Sequence, residues 1–178
     1  IGGLGKGHIV REIDALGGAM GLNTDATGIQ FRTLNASKGP SVRAPRAQCD
    51  KKAYQFRMKH VLENADNVDM HQGNVSEILV EDDLIVGIVT NLGIEYKTSS
   101  VIVSSGTFMR GLMHVGKQNQ SGGRMGDGIS TLSDCLKELG FEVHRFKTGT
   151  PCRLNGRSIN LEKCEKQRKI KRAYKKKK

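Results

Sequence analysis

No apolar run in this 178-residue chain approaches the length of a membrane span. The longest, Leu84–Val89 and Val101–Val103, fall far short of the roughly 20 residues a bilayer-crossing helix needs, so no transmembrane segment is expected. Tryptophan is absent. The four cysteines, Cys49, Cys135, Cys152 and Cys164, form no C-x-x-C pair and have no histidine at ligand spacing. That argues against a zinc site or a redox dithiol within the chain. Reduced thiols in a cytoplasmic-type compartment are the plain reading. The five histidines, His8, His60, His71, His114 and His144, are scattered without a His-x-x-x-His pair, so core or solvated roles are expected of them. A Gly-x-Ser-x-Gly elbow is missing, and Ser104-Ser105-Gly106 has no helix behind it, which leaves nucleophilic hydrolase chemistry unsupported. There is no internal repeat or heptad array. The first residue is Ile1, not methionine, and a fragment or processed chain is the expectation.

What is present is base. Lysine and arginine number 29 against 18 acids, a formal charge of +11, in a chain that is 37% apolar and 26% charged. That balance describes a soluble globular protein, long enough for one domain and part of a second around a real core. A basic excess invites a nucleic-acid or anionic-membrane reading. Its distribution changes that reading, because the segment Arg168–Lys178 holds eight bases and no acid and the rest of the chain is only +3. A like-charge run of this kind is expected to be disordered.

Along the chain, Ile1-Gly2-Gly3-Leu4-Gly5-Lys6-Gly7-His8 reads as a glycine-rich loop entering a helix. Two uses stay open for it: contact with an anion through backbone N–H groups, or plain chain-turning. It is neither a Walker A loop nor a G-x-G-x-x-G fingerprint. Ile9, Val10, Ile13 and Leu16 recur at helical spacing up to a Gly17-Gly18 stop. Thr24–Pro45 reads as a long irregular segment, in which Arg32, Lys38, Arg43 and, just beyond it, Arg46 make a phosphate-reading loop or an ordinary solvated one. Asp50–Asn64 is predicted helical, with Tyr54, Met58, Val61 and Leu62 on one face. Strands are predicted at Val68–Met70, Ile78–Val80, Leu84–Thr90 and Ile94–Lys97, with turns at Glu81-Asp82-Asp83 and Asn91-Leu92-Gly93. A buried strand Val101–Val103 then runs into Ser104-Ser105-Gly106-Thr107, whose small side chains permit a cofactor's close approach. Gly122-Gly123-Arg124 before a helix from Asp127 to Leu139 joins two glycines, a cation and a helix start, a set able to hold a phosphate or a flavin edge. Gly140 is the helix stop, and Phe141-Glu142-Val143 begins a further strand.

The ordered blocks Ile1–Gly18, Gly28–Arg32, Leu34–Pro40, Arg43–Gln48 apart from its Pro45, Ser105–Phe108, Gly122–Asp127 and Lys147–Pro151 resemble the MnmG/GidA family of tRNA uridine 5-carboxymethylaminomethyl-modification enzymes. The resemblance covers roughly Ile1 to Gln167. It implies an α/β fold: a partial FAD-binding domain, Rossmann-like and of glutathione-reductase type, with an antiparallel β-meander, entering a second dinucleotide domain at its C-terminal end. On that basis residues 1–147 are the partial FAD domain without its G-x-G-x-x-G unit, 148–167 begin the inserted NADH region, and 168–178 are a basic tail. The implied activity adds an aminomethyl-type group to C5 of the wobble uridine of tRNA, using FAD, NADH and methylene-tetrahydrofolate. The implied partners are the tRNA, the GTPase MnmE and a second copy of the enzyme. The implied location is the cytoplasm, or the mitochondrion in a eukaryote, with no membrane involvement.

Two FAD-contact positions carry over: Val75, whose backbone meets the adenine, and Ser130, at the start of the helix after Gly122-Gly123-Arg124. Their plainer roles are a core strand residue and a helix-terminus hydroxyl. No catalytic residue and no metal ligand carries over. The family's Cys-Asn-Pro-Ala lead, with its catalytic cysteine, is not in the chain, none of the four cysteines matches the second one, and Cys152 stands where the family has a proline. The expectation is therefore a fragment inactive alone. Two other classes stand beside it: a non-enzymatic basic RNA-binding protein working through Arg168–Lys178, and a degenerate gene product.

Overall fold

The computed structural model describes residues 5–149 and 154–166. It has two compact units, which comprise residues 5–70 with 154–166 and residues 71–149.

The first unit opens on α1 (Lys6–Ala15). Its end is fixed by backbone geometry: Gly17 takes φ 84°, and Gly17 N and Gly18 N donate to Asp14 O and Ile13 O at 3.0 and 2.8 Å. This paired closure satisfies the helix's terminal carbonyls and requires a left-handed residue, hence glycine. The predicted stripe is only partly used, because Ile9, Ile13 and Leu16 are exposed while Gly7 is buried. Gly7 sits where α1 meets Pro45 so closely that a Cβ would stand 2.8 Å from the proline Cδ. Next comes α2 (Ala19–Thr27), which hydrophobic periodicity did not signal because its buried residues are polar. Thr24 and Thr27 donate their hydroxyls to Met20 O and Asn23 O at 2.8 and 2.7 Å, four residues back, and the fully buried Asn23 donates from Nδ2 to Tyr54 O at 3.1 Å.

The expected irregular segment Thr24–Pro45 is instead the end of α2 and a hairpin of β1 (Gly28–Leu34) with β2 (Ala44–Cys49). Breaker residues concealed it, since the connection holds Gly39 and Pro40 in a short 3-10 turn and Pro45 lies inside β2. A two-stranded ladder consists only of edge strands, where proline's missing N–H is tolerated. Ala44 and Ala47 of β2 supply the unit's buried apolar side chains. The predicted helix appears as α3 (Lys51–Glu63), capped by Asp50, whose carboxylate accepts from Ala53 N at 2.9 Å. Its expected face is half-buried at Tyr54, Met58 and Val61, with Leu62 exposed. Val68–Met70 is not a strand: it makes no ladder, and Val68 and Met70 are exposed.

The second unit contains the expected antiparallel meander, β3 (Val75–Glu81), β4 (Leu84–Thr90) and β5 (Glu95–Lys97), in that spatial order. The β3–β4 turn places Asp82 and Asp83 at φ 48° and 61°, the two-residue geometry that matches strand twist and that Asp tolerates. A hairpin of β6 (Leu112–Val115) and β7 (Gln118–Ser121) follows, closed by Gly116-Lys117. It was missed because β7, Gln-Asn-Gln-Ser, is wholly exposed and has no apolar alternation. Val101–Val103 forms no ladder, with Ile102 93% exposed, so the expected buried strand is corrected. A buried strand needs hydrogen-bonding neighbours, and none lies among the described residues. Phe141–Val143 is likewise without a ladder.

The last helix, α4 (Leu132–Glu138), is shorter than the expected Asp127–Leu139. Ser130 is withheld from it: Ser130 N donates to Phe108 O at 2.9 Å and Ser130 O accepts from Arg110 N at 3.0 Å, forming an isolated parallel bridge with Met109. Gly140, at φ 89°, closes α4 as expected, with Phe141 N and Gly140 N donating to Leu136 O and Lys137 O. α4 packs on β3 through the buried Leu132, Ser133 and Cys135. The glycine-rich start Ile1–Leu4, the positions Thr150–Arg153 with Cys152, and the tail from Arg168 lie outside the described residues.

Candidate functional site

Val75 and Ser130 are 55 residues apart in sequence and meet directly: Ser130 Oγ donates to Val75 O at 2.8 Å. The same oxygen accepts from Leu132 N at 3.2 Å, one of the N–H groups that the start of α4 leaves without a helical partner. Ser130 thus ties the first residue of β3 to the first turn of α4, while its backbone is pinned to the 108–110 segment. Cys135 repeats the tie further along, as its Sγ accepts from Ile78 N at 3.3 Å. A buried thiol occupied in this way behaves as a small apolar side chain and is structural.

Beside this junction lies an open cleft of about 660 Å³. It is lined by residues that include Gln72, Asn74, Asn91, Phe108, Asp127 and Gly128; Asn74 directly precedes Val75, while Val75 and Ser130 themselves are not in the lining. The rim is braced by Asn91 N donating to Asn74 O at 2.8 Å. Phenylalanine and side-chain amides, which both donate and accept, are residue types able to hold a nucleobase.

The Gly122-Gly123-Arg124 element differs from its expectation. Arg124 is spent on Asp127, Nε to Oδ2 at 2.6 Å, and the helix begins only at Leu132. The glycines serve the chain's own packing: a Cβ on Gly123 would stand 2.6 Å from Thr107 O, and Thr107 Oγ1 donates to Gly123 O at 3.1 Å. Of the small residues before Phe108, Thr107 packs on Gly123, while a Cβ on Gly106 would meet nothing within 4 Å. Nearby, the Arg110 guanidinium donates to Asp134, Nε to Oδ2 at 2.7 Å. This hydrogen bond, with the charge of the arginine, holds the Asp134 carboxyl below its ordinary pKa and raises that of Arg110. Both side chains are substantially solvent-exposed, so salt screens the pair.

In the first unit, Arg32 and Arg46 stand opposite each other across the β1–β2 ladder, a pairing hidden while the segment read as a loop. Arg43 Nε is engaged with Lys38 O at 3.0 Å. Among the described residues no group of His, Cys, Asp and Glu is arranged to hold a metal, and no helix is long and apolar enough to cross a membrane.

Fold and site together define a mixed α/β segment built on antiparallel hairpins, with an open cleft beside a helix start. Residues 1–177 match the family described as glucose inhibited division protein A, and the chain belongs to that family. It is 56% identical over 168 residues to the tRNA uridine 5-carboxymethylaminomethyl modification enzyme MnmG of Geobacter sulfurreducens, and 54% identical to that of Protochlamydia amoebophila. Each alignment covers 94% of this chain and 27% of the relative. Two crystal forms of Aquifex aeolicus GidA superpose with TM-scores of 0.83 and 0.84 at 50% identity, covering 91% and 93% of this chain and 27% and 28% of theirs. The chain therefore spans about a quarter of the length of the relatives it matches.

Proposed function

We propose that this chain is part of the FAD-binding region of an FAD-dependent tRNA-modifying enzyme, and that its second unit holds the adenine end of the cofactor. The observation that carries the reading is the 56% identity, across 94% of the chain, to a relative named for modification of tRNA uridine. In the whole enzyme the reaction builds a carboxymethylaminomethyl-type group on C5 of the wobble uridine, with the GTPase MnmE as partner, NADH as reductant and a homodimer as the working form, in the cytoplasm or a eukaryote's mitochondrion. Within it, residues 1–147 belong to the FAD domain, 148–167 lead into the NADH region and 168–178 are a basic extension.

The residues present fit one end of FAD. Val75 offers its backbone to the adenine, Ser130 holds the Val75 carbonyl by its hydrogen bond, and the cleft beginning at Asn74 and lined also by Phe108 and Asn91 accepts the base. A pyrophosphate cradle is another matter, since the sequence contains no G-x-G-x-x-G. When bound, the flavin supplies the redox chemistry, and the protein's part is to bind and orient it. Alone, the chain is expected to bind FAD weakly and to be inactive.

Competition binding tests this. FAD fluorescence titrated into the chain should give weak binding that AMP and ADP displace and FMN does not, and Ser130→Ala should weaken it. Displacement by FMN but not by AMP refutes the adenine-end assignment, and tight one-to-one FAD binding refutes the weak binding expected of the isolated chain.

A further inference from the structure

Positive charge in the first unit falls on two successive acid-free stretches, α3 with Lys51, Lys52, Arg57 and Lys59 between Asp50 and Glu63, and the hairpin before it. Between Asp25 and Asp50 there is no acid, and Arg32, Lys38, Arg43 and Arg46 give that stretch a formal +4, against +3 for residues 1–167 as a whole. The ladder sets Arg32 directly opposite Arg46. Residues so paired lie on one face of a sheet with Cα atoms about 4.5–5.5 Å apart, where like charges repel. Arg46 is half-buried, and its Nε is shielded from solvent with no hydrogen-bond partner. Among the described residues no carboxylate pairs with either arginine. An orphaned, charged donor beside a second cation is costly unless an anion is supplied. At the end of the hairpin a cleft of about 730 Å³ is lined by Arg32, Asn35, Ala36 and Ser37, with the Arg43–Lys38 contact beyond it.

We propose that Arg32 and Arg46 form a paired site for the phosphate groups of an RNA backbone, with Lys38 and Arg43 extending it along the hairpin. RNA as the phosphate's source rests on the tRNA reading; the oxyanion site rests on the hairpin alone. Two arginines paired across adjacent strands bring to one face the planar donor groups that suit tetrahedral oxyanions. The hairpin's aromatic residue, Phe31, alternates onto the opposite face from Arg32, so the hairpin itself offers no stacking platform beside the arginines, whose contacts are to backbone and not to bases.

The test is binding of labelled tRNA by the 178-residue chain through a salt series, comparing the wild type with R32Q/R46Q. The lysine-rich tail is common to both chains and cancels in the comparison. Neutralising two phosphate contacts should lower affinity about tenfold and reduce the slope of log K against log salt by about 1.4–1.8. R32K/R46K, which keeps the charges, should restore the slope. Inorganic pyrophosphate should raise the melting temperature of the wild type and leave that of R32Q/R46Q unmoved, a readout that needs no RNA. Wild-type affinity and slope in R32Q/R46Q overturn the site, as does a pyrophosphate response that survives in it; should that variant not fold, a wild type indifferent to pyrophosphate overturns it. Because backbone contacts carry no sequence information, an unrelated RNA of the same length should bind equally and lose the same affinity in R32Q/R46Q; an unrelated RNA whose binding the double substitution leaves unchanged overturns the site.

Discussion

Replacing Ser130 with alanine removes the tie between β3 and α4 without touching either element's backbone. Two hydrogen bonds disappear: the donation to Val75 O at 2.8 Å and the acceptance from Leu132 N at 3.2 Å. At about 1 kcal/mol net for each intramolecular hydrogen bond, the expected loss is about 2 kcal/mol. The Val75 carbonyl sits at the start of a paired strand, and the Leu132 amide belongs to a helix's first turn. The cost therefore falls on the local docking of α4. Hydrogen exchange read by mass spectrometry resolves this, because local opening free energies set amide protection. Peptides spanning Leu132–Glu138 should exchange about 30-fold faster in Ser130→Ala, the factor that 2 kcal/mol represents. Peptides from α3, in the other unit, should be unchanged and serve as the control. Exchange of α4 within about twofold of wild type would refute the view that this hydroxyl fastens the site.

Other consequences follow from the same structure. Gly7→Ala should lower the melting temperature: a helical Gly→Ala change ordinarily gains up to about 1 kcal/mol, but here the new Cβ meets Pro45 Cδ at 2.8 Å and Pro45 O at 3.1 Å, and overpacking of about 1–3 kcal/mol prevails. A raised melting temperature would contradict that packing. The Asp134 carboxyl, held below its ordinary pKa by the Arg110 hydrogen bond, contributes stability that is present above its unfolded pKa, about 4. That contribution is lost as pH falls through the lower folded value. An NMR titration should find Asp134 ionising below its ordinary value, with the shift abolished in Arg110→Gln and reduced by salt. An unshifted Asp134 in the wild type would show that the pair does not persist in solution.

Features with a local cause were legible in the sequence. Asp50 ahead of α3, the glycines closing α1 and α4, and the Asp82-Asp83 and Asn91–Gly93 turns each answer a nearby backbone requirement. Features that depend on distant partners were not. The β1–β2 hairpin was obscured by Gly39, Pro40 and Pro45, and the Arg32–Arg46 opposition could not be seen without the ladder register. Val101–Val103 shows the converse error, an apolar run whose composition fits a buried strand while no described residue pairs with it. Val75 and Ser130 entered through family resemblance alone. Their contact became visible only when the bridge to Met109 drew Ser130 out of the helix that periodicity assigns it to.

The central claim is that these residues are a working piece of a tRNA-modifying flavoprotein, and segment exchange tests it most directly. The aligned 168 residues of the Geobacter sulfurreducens enzyme are replaced by those of this chain, in cells lacking their own MnmG. The tRNA is then digested and its wobble nucleosides quantified by mass spectrometry. The account predicts that the chimaera restores the C5-modified uridine, and that Ser130→Ala within it lowers the yield at limiting FAD. A chimaera that is folded and soluble, binds FAD, and leaves the wobble uridine unmodified would contradict it.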